Sequence, residues 1–427
     1  MGTLLENARA GKITDEMKAV AAGEGLSPEQ IRDGMVEGSI VLAGGGDRPA
    51  TAVGIGKGLR AKVNASIGTS SDIIDLEMEL KKAGVAEACG ADTLMELSTA
   101  GDLDEIRREV IAAVSLPVGS VPLYQAGAAS ASAYGSSLDM TEDTLFEVIE
   151  KQARDGIGFM AIHCGVNRLT VDVLEKQGGR SGGLVSRGGA FMVAWMRQNQ
   201  KENPLYARFD RLMEILRRYD VVLSLGNGMR AGATSDATDQ AQIQELLVNA
   251  ALAERARDAG VQSMLEGPGH IPIDEIEANI ILQKRVSGGK PFYMLGPITT
   301  DIAPGYDHIT AAIGSAWAVA YGTDFICYVT PSEHLGLPYQ DDVREGVMAA
   351  RLAAHVGDMI RLGRRDLDYE MGQARRRLDW EAQYKLALDP ERARAIREAR
   401  PMTDPNSCSM CGDQCSLKMD KSAELCH

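Results

Sequence analysis

Three cysteines near the C-terminus have the spacing of ligands for a metal ion or an iron–sulfur cluster. Cys408, Cys411 and Cys415 are separated by two and then three residues. Thiolates are soft ligands that select zinc or iron–sulfur centres. A structural zinc site needs four ligands, and Cys426 or His427 would be the fourth. Three thiolates on a four-iron cluster instead leave one iron open, which is the arrangement that chelation of S-adenosylmethionine (SAM) requires.

A second set of reactive side chains follows short apolar runs along the chain. These runs are rich in Val, Ile and Leu, and amphipathic stretches of helical periodicity separate them. This alternation predicts parallel strands connected by helices. The predicted strands are 61–66, 92–97, 117–122, 157–163, 221–226, 261–266, 291–295 and 324–329.

Eight strand–helix units predict an α/β fold, a (β/α)8 TIM barrel in which the ends of all strands share one mouth. Flexible glycine turns alone would explain any single motif at those ends, but not the whole set. The set combines glycines with polar and titratable groups. The motifs that follow the strands begin at Asn64, Met95, Pro122, His163, Gly226, Glu266, Tyr293 and Glu333.

The barrel is expected to span residues 59–339, with other segments on either side. Residues 1–58 are predicted to form an N-terminal cap with two helices, and 340–400 a C-terminal helical segment with helices at 340–360, 366–388 and 390–399. Residues 401–427 form a Cys-rich tail that begins with a Pro-containing linker.

Charge and hydropathy restrict the partners and the compartment. The net charge of −15, from 60 acidic and 45 basic residues, is unfavourable for binding nucleic acid or an anionic membrane surface. No run of about 18 apolar residues predicts a membrane span, and the first residues do not resemble a signal peptide. We therefore expect a cytoplasmic protein whose cysteines stay reduced.

Several longer motifs resemble the phosphomethylpyrimidine synthase family of thiamin biosynthesis, and the resemblance covers nearly the whole chain. The family implies a radical SAM lyase, a homodimer, a 4Fe–4S cluster and an external electron donor. It acts on aminoimidazole ribotide, 5-amino-1-(5-phosphoribosyl)imidazole, through a 5′-deoxyadenosyl radical. The motifs are Ser186–Gly189, Glu266–His270, Gly296–Thr310, Cys327–Pro338, Leu378–Glu381 and the cysteine tail.

The resemblance implies roles for individual residues. The cluster ligands fall on Cys408, Cys411 and Cys415, although the family commonly has four residues in the second gap. A divalent metal, zinc or iron, falls on His270 and His334. Glu266, His163 and Tyr124 are the candidate catalytic groups. The substrate contacts fall on Met95, Tyr124, His163, Ser186, Arg187, Gly188, Asn227, Gly228, Met229, Arg230, Glu266 and Tyr293.

Departures from the thiamin-pathway pattern favour a paralogous reaction. Gly44–Asp47 replaces an Asn-Ile-Asn-His run that we expect near the substrate, and Asn227 replaces an aspartate. We therefore expect the paralogous activity of cobalamin lower-ligand synthesis, which yields 5-hydroxybenzimidazole, formate and phosphate. The alternatives are the thiamin-pathway reaction on the same substrate and a non-catalytic barrel with a structural zinc.

Overall fold

The computed structural model of the chain describes residues 2–44, 51–401, 404 and 406–423. The chain divides into two compact units, residues 1–361 and 362–427. The finer division into cap, barrel, helical segment and tail stays a prediction.

The predicted (β/α)8 barrel is confirmed. Eight parallel strands close in the order β10-β3-β4-β5-β6-β7-β8-β9. Their residues are almost all buried, which is why they read in the sequence as near-continuous apolar runs. The strands are β1 (Ile40–Ala43), β2 (Val53–Gly56), β3 (Lys62–Ile67), β4 (Thr93–Glu96), β5 (Val118–Ser120), β6 (Phe159–Ile162), β7 (Val222–Leu225), β8 (Ser263–Gly267), β9 (Phe292–Met294) and β10 (Phe325–Cys327).

Helices surround the barrel, and side chains at their first turns define where several begin. Thr141 accepts a hydrogen bond from the amide of Thr144 at the start of α7, and Asp239 accepts one from Gln242 at the start of α12. The helices of the first unit are α1 (Leu4–Arg9), α2 (Asp15–Glu24), α3 (Pro28–Glu37), α4 (Leu76–Ala88), α5 (Leu103–Ala113), α6 (Pro122–Tyr134), α7 (Glu142–Arg154), α8 (Arg168–Lys176), α9 (Arg187–Asn199), α10 (Pro204–Ala207), α11 (Phe209–Tyr219), α12 (Gln240–Asp258), α13 (Ile273–Val286), α14 (Asp307–Tyr321) and α15 (Gln340–Arg361).

An antiparallel hairpin, β1–β2, lies at the N-terminal end of the barrel strands and was not predicted. The side chain of Gln262, just before β8, accepts from the amide of Leu42 at 2.8 Å. A Cβ atom on Gly44 would lie 2.7 Å from Pro117, just before β5. The expectation that Gly44 belongs to a substrate loop is therefore wrong, because the cavity described below opens at the opposite ends of the strands. Gly45, Gly46 and Asp47 lie outside the described residues.

The second unit consists of short helices and the cysteine motif. The stretch 366–388, predicted as one helix, is broken at Leu378, whose φ of +59° ends the first helix. Arg397 stacks 4.1 Å above the Trp380 ring and donates to the carbonyl of Ser407. This contact joins the cysteine motif to the helices of its own unit. These are α16 (Asp366–Arg377), α17 (Trp380–Leu386), α18 (Pro390–Glu398) and α19 (Ser416–Ala423).

Across the part of the chain that the structure describes, no helix combines the length and apolar character needed to cross a bilayer.

Candidate active site at the barrel mouth

A cavity of about 630 Å³ opens at the C-terminal ends of the barrel strands. This is the end at which barrel enzymes carry their reactive groups. Residues of separate βα loops, far apart in the sequence, meet there. The predicted site residues that line it are Met95, Tyr124, His163, Arg187, Arg230, Glu266, His270, Tyr293 and His334.

The remaining predicted contacts do not line this cavity, and their direct contact with substrate stays a prediction. The Ser186 hydroxyl is buried against His163 and accepts from the amide of Gly189 at 3.0 Å. A Cβ on Gly188 would lie 2.3 Å from the His163 ring, so glycine is required for this close approach. Asn227, Gly228 and Met229 are likewise not among the described residues that line the cavity. These residues support the site from outside it.

His163, at the end of β6, is a neutral imidazole. Its Nε2 lies 3.1 Å from the Ser186 hydroxyl, and Nδ1 has no partner among the described residues. Burial, helped by the positive charge of Arg230, lowers the pKa of His163 to about 3. Near pH 7 the uncharged ring can therefore donate one hydrogen bond and accept another.

We expect His163 to show no protonation step between pH 5 and 8, since its pKa lies well below that range. The imidazole signals of the native protein, followed by NMR against pH, provide the test, and a His163→Gln variant assigns the signal. The same histidine in the denatured chain should titrate near 6.5. A native His163 signal with a midpoint between pH 5 and 8 would contradict the neutral assignment.

Glu266, at the end of β8, is the buried carboxylate of the cavity. It accepts from the Ser224 hydroxyl at 2.9 Å and from the amide of Asn227 at 3.3 Å. Burial raises its pKa, and the nearby Arg230 guanidinium opposes that rise. Ser224 was not predicted from the sequence, because it lies within a buried strand rather than after it. Its bond fixes one carboxylate oxygen of Glu266.

A cation and a helix N-terminus occur together on another side of the cavity. Arg187 is the first residue of α9, and its guanidinium lies 5.0 Å above the ring of Tyr124. The first amides of a helix have no intrahelical acceptor and attract anions. This part of the cavity is therefore suited to bind a phosphate group.

His270 and His334 are paired at the mouth, with ring centroids 5.0 Å apart. Nδ1 of His270 lies 2.7 Å from Asp301, and Nδ1 of His334 lies 3.3 Å from Asp307. A carboxylate on one imidazole nitrogen orients the other nitrogen for a metal. His334 also has a φ of +61°, a left-handed backbone conformation that is unfavourable for residues other than glycine. The donor set therefore fits a divalent metal held through Nε2 of both rings.

Contacts that the sequence analysis did not predict stabilise the mouth and the floor of the cavity. Asp301 also accepts from both the amide and the hydroxyl of Thr234 at 2.7 Å, which joins two βα loops. On the floor, Cys327 lies 3.5 Å from the Ser66 hydroxyl. Asp301 and Cys327 lie within motifs quoted above, but their partners are distant in sequence.

The cysteine motif belongs to the second unit and forms a short turn before α19. Cys411 precedes a 3-10 turn, Gly412–Gln414, and Cys415 follows it. Cys415 is buried and Cys411 is exposed. Among the described residues, no three His, Cys, Asp or Glu side chains are gathered closely enough to hold a metal ion. Three thiols on one short turn remain a suitable donor set for an iron–sulfur cluster.

Comparison with known proteins identifies the family. A model of the radical SAM ThiC family matches residues 3–422. The chain belongs to the radical SAM ThiC family. Membership implies a 4Fe–4S cluster and SAM, so a structural zinc on a non-catalytic barrel is not retained.

Relatives within the radical SAM ThiC family carry two different names. A 5-hydroxybenzimidazole synthase from Geobacter metallireducens is 59% identical over 98% of this chain and 97% of its own length. A phosphomethylpyrimidine synthase from Methanoculleus marisnigri is also 59% identical, over 98% of both chains. Overall identity therefore does not distinguish the two reactions.

Proposed function

We propose that the protein is a carbon–carbon lyase that converts aminoimidazole ribotide into 5-hydroxybenzimidazole, releasing formate and phosphate. The observation that carries this choice is Asn227, where the thiamin-pathway motif has an aspartate. Its backbone amide donates to Glu266 of the cavity at 3.3 Å and its side-chain amide donates to the buried Glu245 at 2.8 Å, so the departure lies directly behind the site. The Geobacter relative's name supports the same reaction.

The groups of the cavity provide the chemistry that this substrate needs. Arg187, at the start of α9, binds the phosphate, and Arg230 supplies a second cation. Glu266 accepts a hydrogen bond from a ribose hydroxyl or the exocyclic amine, while Tyr124 and neutral His163 orient the imidazole. Met95 and Tyr293 enclose the rings. Cys408, Cys411 and Cys415 would hold the 4Fe–4S cluster, which together with SAM and an electron from an external donor would supply the 5′-deoxyadenosyl radical.

The second candidate is the thiamin-pathway reaction, which starts from the same substrate. The equal identity to the Methanoculleus relative favours it. Both reactions would use the same phosphate and ribose contacts, so only the product separates them. A homodimer and a cytoplasmic location also stay predictions under either reaction.

We expect anaerobic incubation with SAM, a reductant and aminoimidazole ribotide to yield 5-hydroxybenzimidazole as the main product, identified by mass spectrometry. We expect the benzimidazole rather than the pyrimidine because Asn227 replaces the aspartate of the thiamin-pathway motif. A Glu266→Gln variant is the control, since loss of the buried carboxylate should remove most of the product. Hydroxymethylpyrimidine phosphate as the main product would reject the assignment in favour of the thiamin-pathway enzyme.

A further inference from the structure

Glu245 is a fully buried carboxylate on α12 that the proposed chemistry does not use. Its two oxygens accept three hydrogen bonds from the turn after β7. The donors are the side-chain amide of Asn227 and the backbone amides of Gly228 and Met229, each at 2.8 Å. Hydrogen bonds to an ionised acceptor are stronger than neutral ones. Burial raises the pKa of Glu245 to about 7, and these donors oppose the rise.

The same turn is held from its carbonyl side by Arg180. The guanidinium of Arg180 donates to the carbonyl of Met229 at 2.7 Å and to that of Arg230 at 3.4 Å. Asp239 pairs with this guanidinium at 2.6 Å and fixes it in place. A carboxylate therefore binds the N–H groups of the turn, while a cation binds its C=O groups.

The turn carries Arg230, whose side chain lines the cavity. The charge of Arg230 acts on Glu266, His163 and Tyr124. A shift of the turn would therefore move the cation on which these groups depend. We propose that Glu245 is a positioning residue that fixes the 227–230 turn and, through it, places Arg230 against the substrate. This rests on the proposed function only for the identity of that substrate.

Position 227 must match Glu245 in this arrangement. Asn227 donates through Nδ2, whereas an aspartate would place a second carboxylate against Glu245. Two buried carboxylates at this distance do not both stay ionised, so one takes up a proton or the turn moves. The amide at 227 leaves Glu245 free to accept the backbone amides of Gly228 and Met229.

The placement of the turn is tested first without any ligand. In Glu245→Gln, one carboxylate oxygen becomes an NH2 group that faces a donor, so hydrogen exchange at the Gly228 and Met229 amides should become at least about tenfold faster. Glu254→Gln is the matched control, since Glu254 is on the same helix and pairs with Lys290 away from the cavity. Unchanged exchange in a folded Glu245→Gln protein would overturn the proposal, whatever reaction the enzyme performs.

Equilibrium binding of aminoimidazole ribotide, measured by calorimetry without SAM, tests the effect on Arg230. We expect the Kd to rise about tenfold in Glu245→Gln and in Asn227→Asp, and to be unchanged in Glu254→Gln. The Asn227→Asp, Glu245→Gln double variant restores one carboxylate and one amide, so part of the affinity should return. Faster exchange with unchanged Kd would overturn the link to Arg230.

The two proposals fail separately. If the unmodified protein does not bind aminoimidazole ribotide, the proposed substrate is wrong, and exchange at Gly228 and Met229 still decides the role of Glu245. If Glu245→Gln does not fold, Asn227→Asp replaces it in both measurements. Unchanged exchange and an unchanged Kd in a folded Asn227→Asp protein would then overturn the proposal.

Discussion

We expect the Cys411→Ala variant to show no SAM cleavage and to contain little of the iron and sulfide of the unmodified protein. Radical SAM enzymes need three protein thiolates on the cluster and one open iron for SAM. The motif offers Cys408, Cys411 and Cys415 in the second unit, and alanine has no atom that can replace a thiolate. The Cys408→Ala and Cys415→Ala variants should behave in the same way.

The measurements are iron and sulfide content, visible absorption, and 5′-deoxyadenosine formed from SAM under reducing, anaerobic conditions. Cys426→Ala is the matched control, because Cys426 lies near the motif in sequence but outside its spacing. It should retain both cluster and cleavage. Full cluster content and cleavage in Cys411→Ala would show that the cluster is held elsewhere.

The barrel strands could be predicted because burial on both faces makes them apolar runs. Each predicted strand overlaps an observed one, as 261–266 does with Ser263–Gly267. The β1 strand, Ile40–Ala43, is equally buried, yet its partner β2 contains two glycines in four residues and gave no strand signal. The break at Leu378 was missed because a non-glycine residue in the left-handed region leaves no mark in composition.

The sequence predicted only those site residues that lie within the recognised motifs or just after a predicted strand. Residues just past strands fall on one mouth by topology alone, which is why His163, Glu266 and His270 meet. Which side of a turn a residue occupies depends on three-dimensional packing, so Asn227 was expected to contact substrate although it faces Glu245. Glu245 itself lies inside a 19-residue helix that also contains Glu254, and nothing in the sequence distinguishes the buried glutamate from the half-exposed one.

The largest effect expected at the mouth is loss of one bound metal ion in the His270→Ala, His334→Ala double variant. Each ring has its Nδ1 against an aspartate, which leaves Nε2 as the nitrogen of each ring that would bind a metal. Removing both imidazoles leaves no nitrogen ligand at that point, so the metal beyond that of the cluster should fall by one equivalent. Elemental analysis of the anaerobically purified protein, compared with its sulfide content, measures this difference and identifies zinc or iron.

Two further variants distinguish a metal site from a pair of structural histidines. Asp301→Asn keeps both rings but weakens the group that orients His270, so metal affinity should fall about 10–100-fold. His308→Gln is the control, because His308 lies near Glu345 rather than in the cavity lining, and its metal content should equal that of the unmodified protein. If the double variant retains all its metal, the Asp301 and Asp307 contacts serve only to hold two structural imidazoles in place. If metal is lost in both the double and Asp301→Asn variants, Asp301 orients His270 as a metal ligand.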